Sequence, residues 1–302
     1  IPDNGGFAIM AGLEQLISQL STISFSEDTL ELLTKDGFSE KLIDYLRNFK
    51  FSCDVFAMPE GTPVFPNEPI VKVKGPAIQA QLIETILLNT INHQTLIATK
   101  ANRVVRAASG RRVVEMGARR AHGKDAAIDG ARAAYIGGVN ATTLYSANKE
   151  YAVPVCEMMG HGWVQLFDSE LEAFKAYLSE HGDDGALVVD TYDTLDSGVK
   201  NAVEAFNSVL VPNGLRPAGI IIDSGDMTYL SKRARRFLDE AGFPDCDIYA
   251  SNSLDETLIK DMLNQGAKID GFIIGEKLIT SSSSPVFDGV YKLAQTERHG
   301  VK

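Results

Sequence analysis

The sequence predicts an irregular parallel α/β barrel preceded by an α+β domain, and three observations carry that reading. From Arg112 onward, short β-rich runs alternate with helical segments, mostly at roughly the 30 residues that a βαβ unit occupies. These runs are apolar at successive rather than alternate positions, as in strands covered on both faces, which favours a parallel sheet. Residues 1–111 show neither feature and instead join a helical stretch to a proline-punctuated one. The expected division is an N-terminal α+β domain over 1–111 and a barrel domain over 112–302.

In the first domain, Leu13, Leu16, Ile17 and Leu20 share one helical face, Ser26 is placed as an N-cap before Leu30 and Leu33, and Gly37 interrupts the pattern before Leu46. Between Phe51 and Gly75, Pro59, Gly61, Pro63, Pro66 and Pro69 punctuate Val64-Phe65 and Ile70-Val71-Lys72-Val73, as in short strands joined by turns. Pro76 fits the first position of a long helix through Gln79, Leu82, Ile86, Leu87, Ile91 and Leu96 towards Ala107. The strand runs of the second domain are Val113–Met116, Val139–Thr142, Val153–Cys156, Ala186–Val189, Gly219–Ile222, Asp247–Ala250 and Gly271–Ile274. Seven such runs predict an incomplete or irregular barrel.

With 302 residues, 44% of them hydrophobic, the chain can bury one large core or two modest ones. Its formal net charge of −11 supplies no general field for nucleic acid or an anionic membrane, so neither is an expected partner. An anionic ligand must then be held by a local cluster. The basic run Lys232-Arg233-Ala234-Arg235-Arg236 lies at helical spacing opposite Tyr229, Leu230 and Phe237 and reads as a solvated helix face. Cys53, Cys156 and Cys246 form neither a CxxC pair nor an even disulfide set, which suits a reducing, cytoplasmic setting. No apolar stretch approaches the ~18–20 residues that span a bilayer, and Ile1-Pro2-Asp3-Asn4-Gly5 lacks the pattern of a signal peptide. GxxxxGK[ST], HExxH and GxSxG are absent and the five histidines and three cysteines have no zinc spacing, which weighs against P-loop NTPases, zinc hydrolases and serine hydrolases.

Polar and glycine-rich residues recur just after the strand runs, where parallel α/β folds bind ligands. His161, between Gly160 and Gly162, has the access that acid–base or nucleophilic work needs; the alternative is a loop histidine of no consequence. Asp190-Thr191-Tyr192-Asp193 and Asp223-Ser224-Gly225-Asp226 repeat one arrangement a βα unit apart. Such carboxylates hold ribose hydroxyls or Mg²⁺, or they merely cap the following helices. Arg119-Arg120 is either a bidentate clamp for phosphate or carboxylate, or a solvated turn.

Taken together, Gly5-Gly6-Phe7-Ala8, Ala11-Gly12-Leu13-Glu14, Thr95-Leu96-Ile97-Ala98-Thr99-Lys100, Arg119-Arg120-Ala121, Ala133-Ala134-Tyr135-Ile136-Gly137-Gly138, Asp190–Leu195 with Ser197-Gly198, Asp223–Asp226 and Tyr291-Lys292-Leu293 resemble the nicotinate phosphoribosyltransferases over nearly the whole chain. The resemblance implies a type II phosphoribosyltransferase fold, with a TIM-like barrel and active sites usually completed in a homodimer. It implies formation of nicotinate mononucleotide and pyrophosphate from nicotinate and phosphoribosyl pyrophosphate, in NAD salvage, with Mg²⁺, ATP hydrolysis and transient phosphorylation of the histidine at position 161. By the same match, Arg119, Arg120, Asn140, Asp190, Thr191, Asp193, Asp223, Ser224, Asp226 and Gly275 surround the substrates, with Asp223 and Asp226 on the metal. It further implies a segment before Ile1, bearing a tyrosine that stacks on the pyridine ring, and a portion after Lys302.

Departures from the family pattern cluster at strand ends. Glu157 and Met158 stand where the family has Gly-Thr, the threonine being the residue that contacts nicotinate. Ile221 stands where an arginine meets the nicotinate carboxylate, Gly160 and Gly162 replace alanine and serine, Ile273 replaces a glycine in the last strand, and Asp288 replaces another glycine after Phe287. Losing the arginine removes a charge-assisted pair of about 1.5 to 3 kcal/mol. Besides nicotinate chemistry, two readings follow: a repurposed or impaired barrel with an altered pocket, and a ribosyltransferase for a ligand without a carboxylate.

Overall fold

The computed structural model describes residues 1 and 5–296 and separates into two compact units, Ile1–Leu96 with the segment from Val286 onward, and Ile97–Pro285. The division falls inside a long helix, upstream of the change of sequence rhythm at Arg112.

In the first unit, β1 (Ala8–Ile9) leads into α1 (Leu13–Thr22), which begins at Gly12 and so has no capping side chain of its own. Glu60 fills that role: its Oε1 accepts from the N–H groups of Gly12 at 2.6 Å and Leu13 at 3.0 Å, placing a carboxylate at the positive helix end. Helices α2 (Glu27–Lys35) and α3 (Glu40–Arg47) are capped by the hydroxyls of Ser26 and Ser39, as the sequence predicts for Ser26. Strand β2 (Asp54–Ala57) follows, then β3 (Pro63–Val64), antiparallel to β1, and β4 (Val71–Lys74), antiparallel to β2. The long helix expected from Pro76 is two helices, α4 (Ala77–Leu82) and α5 (Glu84–Ala107), broken at Ile83, and Pro76 is the N-cap of the first rather than its first helical residue. Ala8, Met10, Leu16, Leu20, Val64, Ile83, Leu87 and Ile91 form the main core of this unit.

The second unit is a curled, six-stranded, all-parallel sheet. Its strands are β5 (Arg112–Glu115), β6 (Ala141–Thr142), β7 (Ala186–Val188), β8 (Gly219–Ile222), β9 (Asp247–Ala250) and β10 (Gly271–Ile274), in the order β6-β5-β10-β9-β8-β7. Six of the seven sequence runs are thus strands. The seventh, Val153–Cys156, is reduced to a single parallel bridge between Val155 and Thr142, at a place where Pro154 has no N–H to give a ladder. Between the strands lie α6 (Lys124–Ile136), α7 (Tyr145–Tyr151), α8 (His161–Val164), α9 (Glu170–His181), α10 (Val199–Ala205), α11 (Met227–Glu240), α12 (Glu256–Asn264) and α13 (Glu276–Ile279).

Strand alternation separates two faces. Ile220, Ile222, Ile248, Phe272 and Ile274 lie on one, all at 1% exposure or less. Gly219, Ile221, Tyr249, Gly271 and Ile273 lie on the other. A Cβ on Gly219 or Gly271 would come within 2.9 or 2.5 Å of the Tyr249 ring, so glycine on both flanking strands makes room for it. This face is the inside of the curl: the Cys156 thiol, which burial pushes up, feels both Arg112 of β5 and Asp184 just before β7. Among the described residues no helix is long and apolar enough to cross a membrane.

Candidate active site

The loops after β7 and β8 and the turn into α8 converge at the carboxyl ends of the strands. Asp190 ends the β7 run and is buried. Its Oδ2 accepts from the Asp223 N–H at 3.1 Å and from the Ser224 hydroxyl at 2.5 Å, which fixes the loop after β8. Its Oδ1 is buried with no hydrogen-bond partner among the described residues, an uncommon state for a carboxylate oxygen. His161 opens α8, with Nδ1 3.1 Å from the Thr191 hydroxyl and Nε2 3.5 Å from Asp223 Oδ2. A carboxylate beside Nε2 favours a proton there and leaves the lone pair on Nδ1. The ring is still 41% exposed, so its accessible nitrogen chemistry is retained.

The close packing under this cluster depends on glycine at Gly198, where a Cβ would stand 1.7 Å from the Val189 carbonyl oxygen. The π-helical turn Thr194–Gly198 that leads into α10 therefore rests directly on the backbone leaving β7. By contrast, a Cβ on Gly160 or Gly162 would meet open space, and Gly160 has an ordinary extended backbone. Nothing steric calls for glycine on either side of His161.

Other sequence-predicted residues are placed differently. Asp193 accepts from the N–H groups of Leu195 and Asp196, and Asp226 accepts from that of Tyr229, so both are N-caps in this structure. Arg119 and Arg120 are exposed in the turn after β5, and Arg120 Nε lies 3.8 Å from Glu276 of α13. Gly275 opens α13 against Met116, and the facing Gly117 would put a Cβ within 2.8 Å of the Gly275 carbonyl. Asn140 stands just before β6, where its Oδ1 accepts from the Val113 N–H at 2.8 Å; it pins neighbouring strands and does not join the His161 cluster. Ile221 and Ile273, each 3% exposed, lie on the inner face one alternation below Asp223 and Gly275.

Glu157 and Met158 line a second concavity of about 330 Å³ with Met116, Thr143, Tyr145, Cys156, Tyr177 and His181. Two buried ionisable residues were not singled out from sequence as site residues. Glu115, 1% exposed, accepts from Thr142 Oγ1 at 2.6 Å and from the Gly117 N–H, and burial raises its carboxyl above the usual carboxylate range despite those bonds. Its visible sign is a carboxylate inside an apolar strand run. Lys100, 3% exposed, meets Glu256 at 2.8 Å and the Ser283 hydroxyl at 2.9 Å.

A sequence profile described as the nicotinate phosphoribosyltransferase (NAPRTase) N-terminal domain matches residues 1–92. Over 301 residues and 99% of its length, the chain is 45% identical to the nicotinate phosphoribosyltransferase of Bacillus subtilis. The chain belongs to the nicotinate phosphoribosyltransferase family. It is 41% identical over the same span to a nicotinate phosphoribosyltransferase of Mycobacterium tuberculosis. It spans 61% and 64% of the length of these two relatives. The crystal structure of human nicotinic acid phosphoribosyltransferase matches all of this chain and 69% of its own with a TM-score of 0.84 at 24% identity, a likeness of fold. The parallel α/β barrel architecture read from the sequence is thus the architecture of the family.

Proposed function

We propose that this chain transfers a phosphoribosyl group from phosphoribosyl pyrophosphate to nicotinate, giving nicotinate mononucleotide and pyrophosphate in the cytoplasm, and that a homodimer completes the site. The observation that carries this reading is the junction of His161, Thr191, Asp223 and Asp190 at the ends of neighbouring strands in a nicotinate phosphoribosyltransferase fold. ATP would be the phosphoryl donor: the Nδ1 lone pair of His161 forms the N–P bond as the bond from the γ-phosphorus to ADP breaks, the ring keeps its Nε2 hydrogen, and the neighbouring Asp223 carboxylate offsets the positive charge on the ring.

Magnesium fits this set of oxygens. The ion takes one or two protein carboxylates and fills its remaining positions with phosphate and water, so a three-residue cage is not needed. Asp223 would hold it, together with Asp226, of which only Oδ1 is committed to its helix cap, or with the unpartnered Oδ1 of Asp190. When bound, the ion neutralises charge on the phosphates.

The test is product formation. Purified chain with nicotinate, phosphoribosyl pyrophosphate, ATP and Mg²⁺ is expected to form nicotinate mononucleotide and, with γ-labelled ATP, to carry an acid-labile phosphoryl group. His161→Ala is expected to lose the label and at least about 100-fold in rate, the scale on which a reacting group acts. A His161→Ala protein that keeps label and rate would overturn the reading.

A further inference from the structure

The His161 turn is unusual in having glycine on both sides where no contact requires it. Glycine with an ordinary backbone raises the conformational freedom that folding must remove, by about 0.5 to 1 kcal/mol per position. After the Cys156 N–H bonds the Thr142 carbonyl at 2.9 Å, the chain leaves β6 and runs through Glu157 to Gly160 before reaching His161. On its far side, Trp163 Nε1 donates to the Ala173 carbonyl of α9 at 3.1 Å. On its near side, Met159 is buried and Glu157 supplies the directional contacts.

Those contacts span the seam where the sheet is not closed by paired strands among the described residues. Tyr145, just after β6 in α7, donates its hydroxyl to Glu157 Oε1. His181, at the end of α9 just before β7, has Nδ1 3.4 Å from Glu157 Oε2. Its ring in turn stacks on Tyr177 at 4.1 Å. One carboxylate therefore joins the β6 edge of the sheet to the helix that delivers β7, and β7 leads to Thr191.

We propose that Glu157 is a positioning residue whose carboxylate, held by Tyr145 and His181, keeps His161 between Thr191 and Asp223. Its catalytic consequence rests on the proposed role of His161; its effect on where that ring sits does not. The two glycines loosen the turn, and the glutamate restores a fixed path across the open seam. Glu157 is exposed, so its effect is on geometry more than on stability.

The experiment uses the full chain with ring-¹⁵N histidine, the His161 signals being assigned by their loss in His161→Gln. Glu157→Ala is expected to shift or broaden those signals. Glu157→Gln, whose amide oxygen still accepts from Tyr145, is expected to stay near the parent. Tyr145→Phe removes one hydroxyl from an exposed side chain, leaves folding unthreatened, and is expected to move the His161 signals in the same direction as Glu157→Ala. In turnover assays Glu157→Ala is expected to lose about tenfold to a hundredfold in kcat, as a misplaced reacting group does, with KM for phosphoribosyl pyrophosphate near the parent value and rescue by glutamine. Unchanged His161 signals in both Glu157→Ala and Tyr145→Phe would overturn the proposal. Signals that move in an inactive parent would leave the positioning standing and remove the proposed reaction.

Discussion

At the β7–β8 side of the barrel mouth, Asp190 binds the Asp223 and Ser224 backbone and hydroxyl groups and Asp223 faces His161, with one buried carboxylate oxygen left over. At the β5–β6 side, Glu157 is engaged by Tyr145 and His181, Glu115 by Thr142 and Gly117, and Met158 and Met116 line the concavity there. The first side leaves carboxylate and imidazole atoms available to a ligand. The second spends its polar atoms on the protein itself. The family departures Glu157 and Met158 fall on the second side, while Ile221 lies on the inner face of β8, on the first side, and Ile273 on that of β10 between the two. Two halves of one mouth thus answer to different constraints, one to bound chemistry and one to closing and filling the curl.

The largest effect expected from breaking the β7–β8 side short of His161 itself is from Asp190→Asn. The substitution keeps the shape but removes charge-assisted acceptance from the Asp223 N–H and the Ser224 hydroxyl, worth about 1.5 to 3 kcal/mol. We expect kcat/KM for phosphoribosyl pyrophosphate to fall about 10- to 100-fold; a variant as active as the parent would separate Asp190 from the chemistry. Next in size is the double change Met158→Thr with Ile221→Arg. Ile221 is 3% exposed, so an arginine there is costly until a ligand carboxylate pairs with it. Nicotinate is therefore expected to raise the thermal midpoint of the double variant more than that of the parent, with a gain of about tenfold in kcat/KM for nicotinate. Equal shifts with nicotinate in both proteins would show that these positions do not face its carboxylate.

Most of the barrel was legible because βαβ spacing and fully apolar runs are local signals, and six of the runs are strands. The seventh run, Val153–Cys156, has strand composition, but Pro154 removes a donor and a single bridge remains. Ser26 was legible as a cap, but the break at Ile83 was not: Glu84 and its neighbours suit helix on both sides of it. Asp193 and Asp226 mark a deeper limit. A helix cap and a phosphate or metal ligand require the same short carboxylate in the same strand-to-helix loop, and the bonds from Leu195, Asp196 and Tyr229 occupy one oxygen of each, so one side chain can serve both purposes. The pairing of His161 with Asp223, and of Glu157 with His181, joins residues from separate βα units and has no spacing rule to reveal it.

The smallest effect, and the one that sharpens the comparison from the β5 side, concerns Glu115. Burial raises its carboxyl above the ordinary range, with the Thr142 and Gly117 bonds opposing. The folded protein therefore holds this proton to a higher pH than the unfolded chain. The stability contributed by the neutral carboxyl is fully present below the unfolded carboxylate range and is lost as pH rises through the folded value. Glu115→Gln removes the titration while its amide oxygen can still accept from Gly117. Between about pH 4, near the reference carboxylate value, and about pH 8, the thermal midpoint of Glu115→Gln is expected to rise relative to the parent, by about 2 to 4 °C for each kcal/mol recovered. A constant difference across that range would mean that Glu115 is already ionised when folded. In that case the buried Glu115 would add a charge to the β5 side, and the contrast between the two halves would rest on Glu157 alone.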